Sequence, residues 1–266
     1  MIVAMNEILR KVQVNIPFSM LQESYLPRFL EYGMNPEIGI DANALDNFSK
    51  ADFDGIAKQI SERSLSVTLH APFMDLSPGS PDPAVRSLTH HRYQQFAELF
   101  PVFQPKAVVC HSGWDEKRYW EREDEWVRNS MELWNWLAET TEKEDISLVM
   151  ENVYEQDPQE FMRFFDQLKH MGFGFCLDTG HQSAFGRVSL DQWLDVLGSH
   201  IRQVHLHDND GRHDDHLALG QGNVDFSLLL KFLKERDLEP PIVTMEPHRE
   251  EDLWASLTYL EKIFPW

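Results

Sequence analysis

Six short apolar runs in this chain each stop on a residue able to hold a divalent metal: Leu65–His70, Ala107–His111, Ile146–Glu151, Phe173–Asp178, Ile201–His205 and Ile242–Glu246. The terminal residues of these runs are spaced 41, 40, 27, 27 and 41 positions apart. Parallel strands cannot be joined by a tight turn, and a strand, a crossover helix and two loops occupy roughly 25 residues or more. Each interval therefore holds one β/α unit, with a metal-ligand type at the same phase of each unit.

Two further strands complete the pattern at the N-terminal side, Val12–Ile16, ended by Pro17, and Glu37–Ile40, followed by a polar turn. Helical spacing of apolar residues falls between the strands, over Met20–Tyr32, Lys50–Arg63, Val85–Leu99, Glu123–Glu142, Pro158–His170, Leu190–Leu197, Phe226–Glu235 and Glu250–Ile263. Asp157 before Pro158 and Ser189 three residues before Gln192 are helix start signals. Eight alternations of strand and helix predict an α/β fold, a (β/α)8 TIM barrel formed as a single domain over residues 1–266. The length suits that architecture, which needs about 250 residues.

Neither the N-terminus nor any apolar run resembles a signal peptide or a membrane span, so the expectation is a soluble cytoplasmic protein with no membrane partner. Cys110 and Cys176 fall inside different predicted strands and read as reduced core thiols. Oligomeric state is left open. The formal net charge of −20 repels phosphate backbones and disfavours nucleic acid as a partner. Most of that acid reads as solvated helix surface, as in the stretches 121–125 and 139–145.

In such a barrel the loops after the strands build the active site, so residues at the strand ends converge on one mouth. Besides His70, His111, Glu151, Asp178, His205 and Glu246, the mouth should receive His181, His207, Asp208, Asp214 and His216. Imidazoles and carboxylates in that number predict a site for zinc, manganese or a similar divalent ion.

The segments Leu69 to Phe73, Cys110 to Gly113, Met150 to Asn152, Leu177 to His181, Val204 to Asp208, Asp214 to Gly222 and Met245 to His248 resemble the strand-end motifs of the xylose-isomerase-like TIM-barrel superfamily. That group contains sugar and sugar-phosphate isomerases and epimerases together with endonuclease IV. The epimerase type implies one metal on Glu151, Asp178, His205 and Glu246. The endonuclease IV type implies three zinc ions on a wider set that adds His70, His111, His181, Asp214 and His216, so the expected count is one to three ions. The loops at 72–76, 114–117 and 208–211 are acidic or apolar, whereas a nuclease grips a duplex with basic and aromatic loops.

The resemblance thus implies a metal-dependent isomerase or epimerase of a small sugar or sugar-derived substrate, working by proton transfer through a metal-stabilised enediolate. Glu151 and Glu246 would be the acid and base on opposite sides of the reacting carbon. His181, Arg212 and His207 are candidate substrate contacts, Phe18, Phe73, Trp114 and Tyr154 could wall the pocket, and Asn152 would hold Glu151 in place. The alternatives are an endonuclease IV-like polynuclear zinc phosphoester hydrolase and a barrel that binds its ligand without turnover.

Overall fold

The computed structural model describes residues 7–168, 172–236 and 238–266. Within them, eight parallel strands close into a barrel in sequence order: β1 (Gln13–Pro17), β2 (Asn35–Gly39), β3 (Thr68–His70), β4 (Ala107–His111), β5 (Ser147–Glu151), β6 (Gly174–Asp178), β7 (Ile201–Leu206) and β8 (Ile242–Met245). The barrel shuts where Gln13 and Val14 of β1 pair with Thr244 and Met245 of β8. Its outer ring is α1 (Leu26–Tyr32), α2 (Lys50–Glu62), α3 (Pro83–Ala97), α4 (Glu123–Lys143), α5 (Gln159–Leu168), α6 (Leu190–Leu197), α7 (Phe226–Glu235) and α8 (Glu250–Ile263).

Each strand alternates between two environments, because successive side chains point to opposite faces. The outward residues Val108, Cys110, Leu148, Met150, Phe175, Leu177, Val204 and Leu206 join one large core between strands and helices, while Val109, Val149 and Cys176 form a small separate cluster inside the barrel. The two cysteines are buried and free. Cys110 and Cys176 face opposite sides of the sheet, which is the physical reason that they do not pair.

The helices start where the local chemistry asks. Ser189 and Gln192 form the capping box of α6, and Asp82 accepts from the Ala84 N–H ahead of Pro83 in α3. The first expected helix, Met20–Tyr32, is interrupted: a π-turn over Leu21–Tyr25 precedes α1. Pro27 has no N–H for the carbonyl four residues back and its ring crowds that turn, so the chain widens there. The expected strand over Leu65–His70 shortens to Thr68–His70, and β2 begins at Asn35 rather than Glu37. The expected end of α5 at His170 lies outside the described residues.

A TIM-barrel lumen is usually filled by branched apolar residues. Here one layer is polar. The pairs Asn15 with Glu37 and Glu37 with Thr68 lie side by side in register. Gln203 and Thr244 reach the same Glu37 carboxylate from β7 and β8.

Candidate metal centre

The carboxyl ends of β3 to β7 deliver His70, His111, Glu151, Asp178 and His205 on the inward phase of their strands, and Glu246 follows the last residue of β8. Glu151 is the hub. Its Oε2 lies 3.1 Å from His70 Nε2 and 3.2 Å from His111 Nε2, and its Oε1 lies 3.2 Å from His181 Nδ1 and 3.5 Å from His205 Nδ1. His205 Nδ1 in turn lies 3.1 Å from Glu246 Oε1 and 3.9 Å from Asp178 Oδ2.

His181 stands in the first turn of the short helix Thr179–Phe185, which Asp178 caps by accepting the His181 N–H. Gly180 is required there, since a Cβ would meet the His207 ring at 1.9 Å. Asp214 bridges His181 Nε2 and His216 Nε2, each 3.3 Å from its Oδ2. His216 adopts the left-handed backbone region at φ 48°. That conformation costs roughly 1–2 kcal/mol and lets His216 Nδ1 reach the Glu246 carbonyl at 2.9 Å.

These side chains fall into groups whose ligand atoms lie within 4.8 Å of one another: His70, His111 and Glu151; Glu151, Asp178 and His205; and His181, His207, Asp214 and His216, among others. Three buried atoms in this region, His205 Nδ1, His207 Nδ1 and Asp214 Oδ1, have no hydrogen-bond partner among the described residues. Buried polar atoms are normally satisfied, so an unsatisfied set lined by imidazoles and carboxylates fits a divalent cation.

The electrostatics lead to the same conclusion. Five carboxylates, including Glu37, face six imidazoles. Burial would raise the Glu151 carboxyl, yet His205 and His111 hold it well below the usual range. Burial likewise opposes charge on His181, His205 and His216, but the surrounding carboxylates lift all three, His216 to about 9. His111 goes the other way, since burial outweighs the pull of Glu151. Without a cation, the cluster balances its carboxylates by taking protons.

Several expected roles change. His207, expected at the substrate, is buried in the cluster, with Nε2 at 3.0 Å and 3.1 Å from the two Asp178 oxygens. Its ring stacks on His216 at 3.8 Å, and His216 stacks on the exposed His248 at 3.9 Å. Arg212 is not brought in; its guanidinium is exposed, 3.7 Å from Asp210. Trp114 and Phe18 are core residues: Trp114 donates to Glu160 and packs on Trp126, and Phe18 packs on Phe48 and Phe53. Phe73 does sit at the mouth, stacked on His111 at 4.3 Å, and the exposed Tyr154 packs on Phe185 beside His181. Asn152 does not bond to Glu151. Its amide exchanges two hydrogen bonds of 2.9 Å with the Asp178 backbone. Asp208 faces the loop backbone, accepting from the N–H groups of Asn209, Gly220, Gly222 and Val224.

Comparison with known proteins agrees with this architecture. An uncharacterised protein of Methanocaldococcus jannaschii is 29% identical over 178 residues, which span 64% of this chain and 61% of that protein. A probable endonuclease 4 of Mycobacterium leprae is 26% identical over 210 residues, 74% of this chain and 80% of its own length. Among solved structures, a Thermus thermophilus protein from a ZnCl2 soak superposes with TM-score 0.77 at 26% identity, covering 95% of this chain and 97% of that one. A D-tagatose 3-epimerase-like protein shares the fold at TM-score 0.79 and 23% identity, over 96% and 97% of the two chains. No helix among the described residues is long and apolar enough to cross a membrane. With the family's sequence pattern matching residues 31–263 on a closed barrel whose strand ends carry these imidazoles and carboxylates, the chain belongs to the xylose isomerase-like TIM barrel family.

Proposed function

We propose that this protein is a metal-dependent isomerase or epimerase acting on a small carbohydrate or a derivative of one. The observation that carries the metal dependence is the unpartnered His205 Nδ1, buried among Glu151, Asp178 and Glu246. A divalent ion on those four residues, zinc or manganese by its donor set, would supply Lewis acidity to neighbouring substrate oxygens.

The proton is moved by the chain's own carboxylates. Glu246 keeps 11% side-chain exposure against 1% for Glu151, and it has two imidazole neighbours, His205 at 3.1 Å and His207 at 3.9 Å, where Glu151 has four. It is therefore the better base for a carbon-bound proton, with Glu151 returning one from the other side. Phe73, stacked on His111, and Tyr154, packed on Phe185, offer apolar ring faces beside the cluster. The choice of carbohydrate over nucleic acid rests on the net charge of −20, which repels a phosphodiester backbone. Likeness to the D-tagatose 3-epimerase-like protein is consistent with this reading.

One observation favours a second reading. The groups His70, His111, Glu151 and His181, Asp214, His216 offer two more ion sites, the arrangement of a polynuclear phosphoester hydrolase. It accords with the likeness to probable endonuclease 4. The test is a count of ions per chain followed by assays of ketoses, aldoses and their phosphates beside an abasic-site duplex, each with zinc, manganese and magnesium. Glu246→Gln should lower isomerase turnover by roughly 10²-fold or more, with solvent deuterium entering the product of the unmodified protein. Conversion of none of the sugars, with metal-dependent cleavage of the duplex, would overturn the isomerase reading.

A further inference from the structure

On the side of His205 away from the candidate ion lies Glu37, an acid fully enclosed by the barrel. Four of its five contacts are with hydroxyl or amide donors. Its Oε2 accepts from Thr68 Oγ1 at 2.9 Å, from Thr244 Oγ1 at 3.1 Å and from Gln203 Nε2. Its Oε1 accepts from Asn15 Nδ2 at 3.3 Å and lies 3.0 Å from His205 Nε2. A carboxyl that accepts four such hydrogen bonds is held in its ionised form. The two hydrogens on Gln203 Nε2 go to Glu37 and to Thr244, leaving none for His205 Nε2. That nitrogen must therefore carry its own hydrogen, directed at Glu37, so the proton that the ring would give up to an ion is the one on Nδ1. Nδ1 is the atom without a partner, turned toward Glu151, Asp178 and Glu246.

We propose that Glu37 is a positioning residue for the metal centre: it fixes the tautomer and the orientation of His205 so that Nδ1 is presented to the ion. The assignment rests on the reading above that these side chains hold a divalent ion. It gives the polar layer in the barrel a purpose, since Asn15, Thr68, Gln203 and Thr244 hold Glu37 from four strands while Glu37 holds His205. A carboxylate behind a metal-bound imidazole also makes that imidazole a stronger donor, and such partners are typically worth about 10- to 100-fold in metal affinity.

The test compares the unmodified protein with Glu37→Gln and Thr244→Val by competition of zinc against a chromophoric chelator, with the melting temperature of the chelator-treated proteins as control. Glu37→Gln should weaken the tightest zinc site by about 10- to 100-fold. Thr244→Val, which removes one donor to Glu37 and leaves His205 untouched, should weaken it by less than about threefold. If Glu37→Gln binds zinc as tightly as the unmodified protein while melting lower, Glu37 is only a structural peg and the proposal fails. Should that variant not fold, ring ¹⁵N spectra of the unmodified zinc-loaded protein decide. A hydrogen on His205 Nε2 and zinc on Nδ1 are required, and the reverse assignment overturns the proposal. An unmodified protein that takes up no zinc, manganese or cobalt sinks the metal reading as a whole, whereas one that binds normally beside an unimpaired Glu37→Gln sinks this assignment alone.

Discussion

Glu155 offers a sharp test of how the loops around the mouth are held. It is buried, accepts from the Ser112 hydroxyl and from the Val153 N–H at 2.9 Å, and so ties the loop after His111 to the loop after Glu151. Burial outweighs these hydrogen bonds and raises its carboxyl from 4.5 to about 7. Between those values the folded chain holds a proton that the unfolded chain has released, so unfolding free energy falls as pH rises through the window. The penalty is absent below 4.5 and complete above about 7, where the shift corresponds to about 3 kcal/mol. Glu155→Gln removes the titration but turns one acceptor into a donor, a loss of about 1 kcal/mol at every pH. The variant should therefore be more stable than the parent by about 2 kcal/mol at pH 8 and lose most of that advantage by about pH 5.5. The chain's pI of about 4.9 argues for staying above that point, where solubility holds. Urea denaturation of both proteins across this range measures the difference directly. Parallel stability curves would refute the reasoning.

Other outcomes follow from the same geometry. Because carboxylates hold His181, His205 and His216 above their ordinary values, His216 to about 9, zinc must displace protons to bind; affinity should rise from pH 6 to 9, and calorimetry in buffers of different ionisation heat should show proton release. A pH-independent affinity would contradict this. Asn152→Ala leaves the Asp178 N–H and carbonyl without partners in a buried site and should cost about 2–4 kcal/mol in urea unfolding; a cost below about 0.5 kcal/mol would mean that the clamp is dispensable. Gly180→Ala pushes a methyl into the His207 ring and should destabilise by about 1–3 kcal/mol, with histidine NMR signals reporting the displaced ring. Unchanged ring signals would refute that.

Much of the barrel can be read from the chain because inward and outward residues alternate along strands that end on chemically distinctive side chains. Glu37 escapes that reading. The sequence places it only as the first residue of a strand, and the inward phase it shares with Asn35 and Gly39 appears only once β2 is seen to start at Asn35. A lone acid inside an apolar strand run is the available signal. Loop residues are harder. Trp114 and Arg212 stand in the right loops, but position after a strand does not say whether a side chain turns to the mouth, the core or water; packing on Trp126 decides the first and solvation beside Asp210 the second. Asp208 misleads for the same reason. It has the residue type of a ligand, but its own backbone neighbourhood offers it four N–H groups.

That last carboxylate separates two properties that active-site loops usually set against each other. Asp208 closes the base of the 209–216 excursion through a two-bond bridge with Leu217 and staples the glycine-bounded return at Gly220 and Gly222. Entropy that an unanchored segment of this length would lose on capturing an ion has already been given up in folding. The solvent-facing stretch from Asp210 to His213 is tied in at its start, where the Asn223 amide donates to the Asp210 carbonyl at 2.9 Å, and is exposed beyond it. It can lengthen, shorten or change charge without loosening the anchor below it. Insertion or substitution at 211–213 should therefore leave the Asp208 anchor intact, and with it the return of the chain that follows Asp214 and His216.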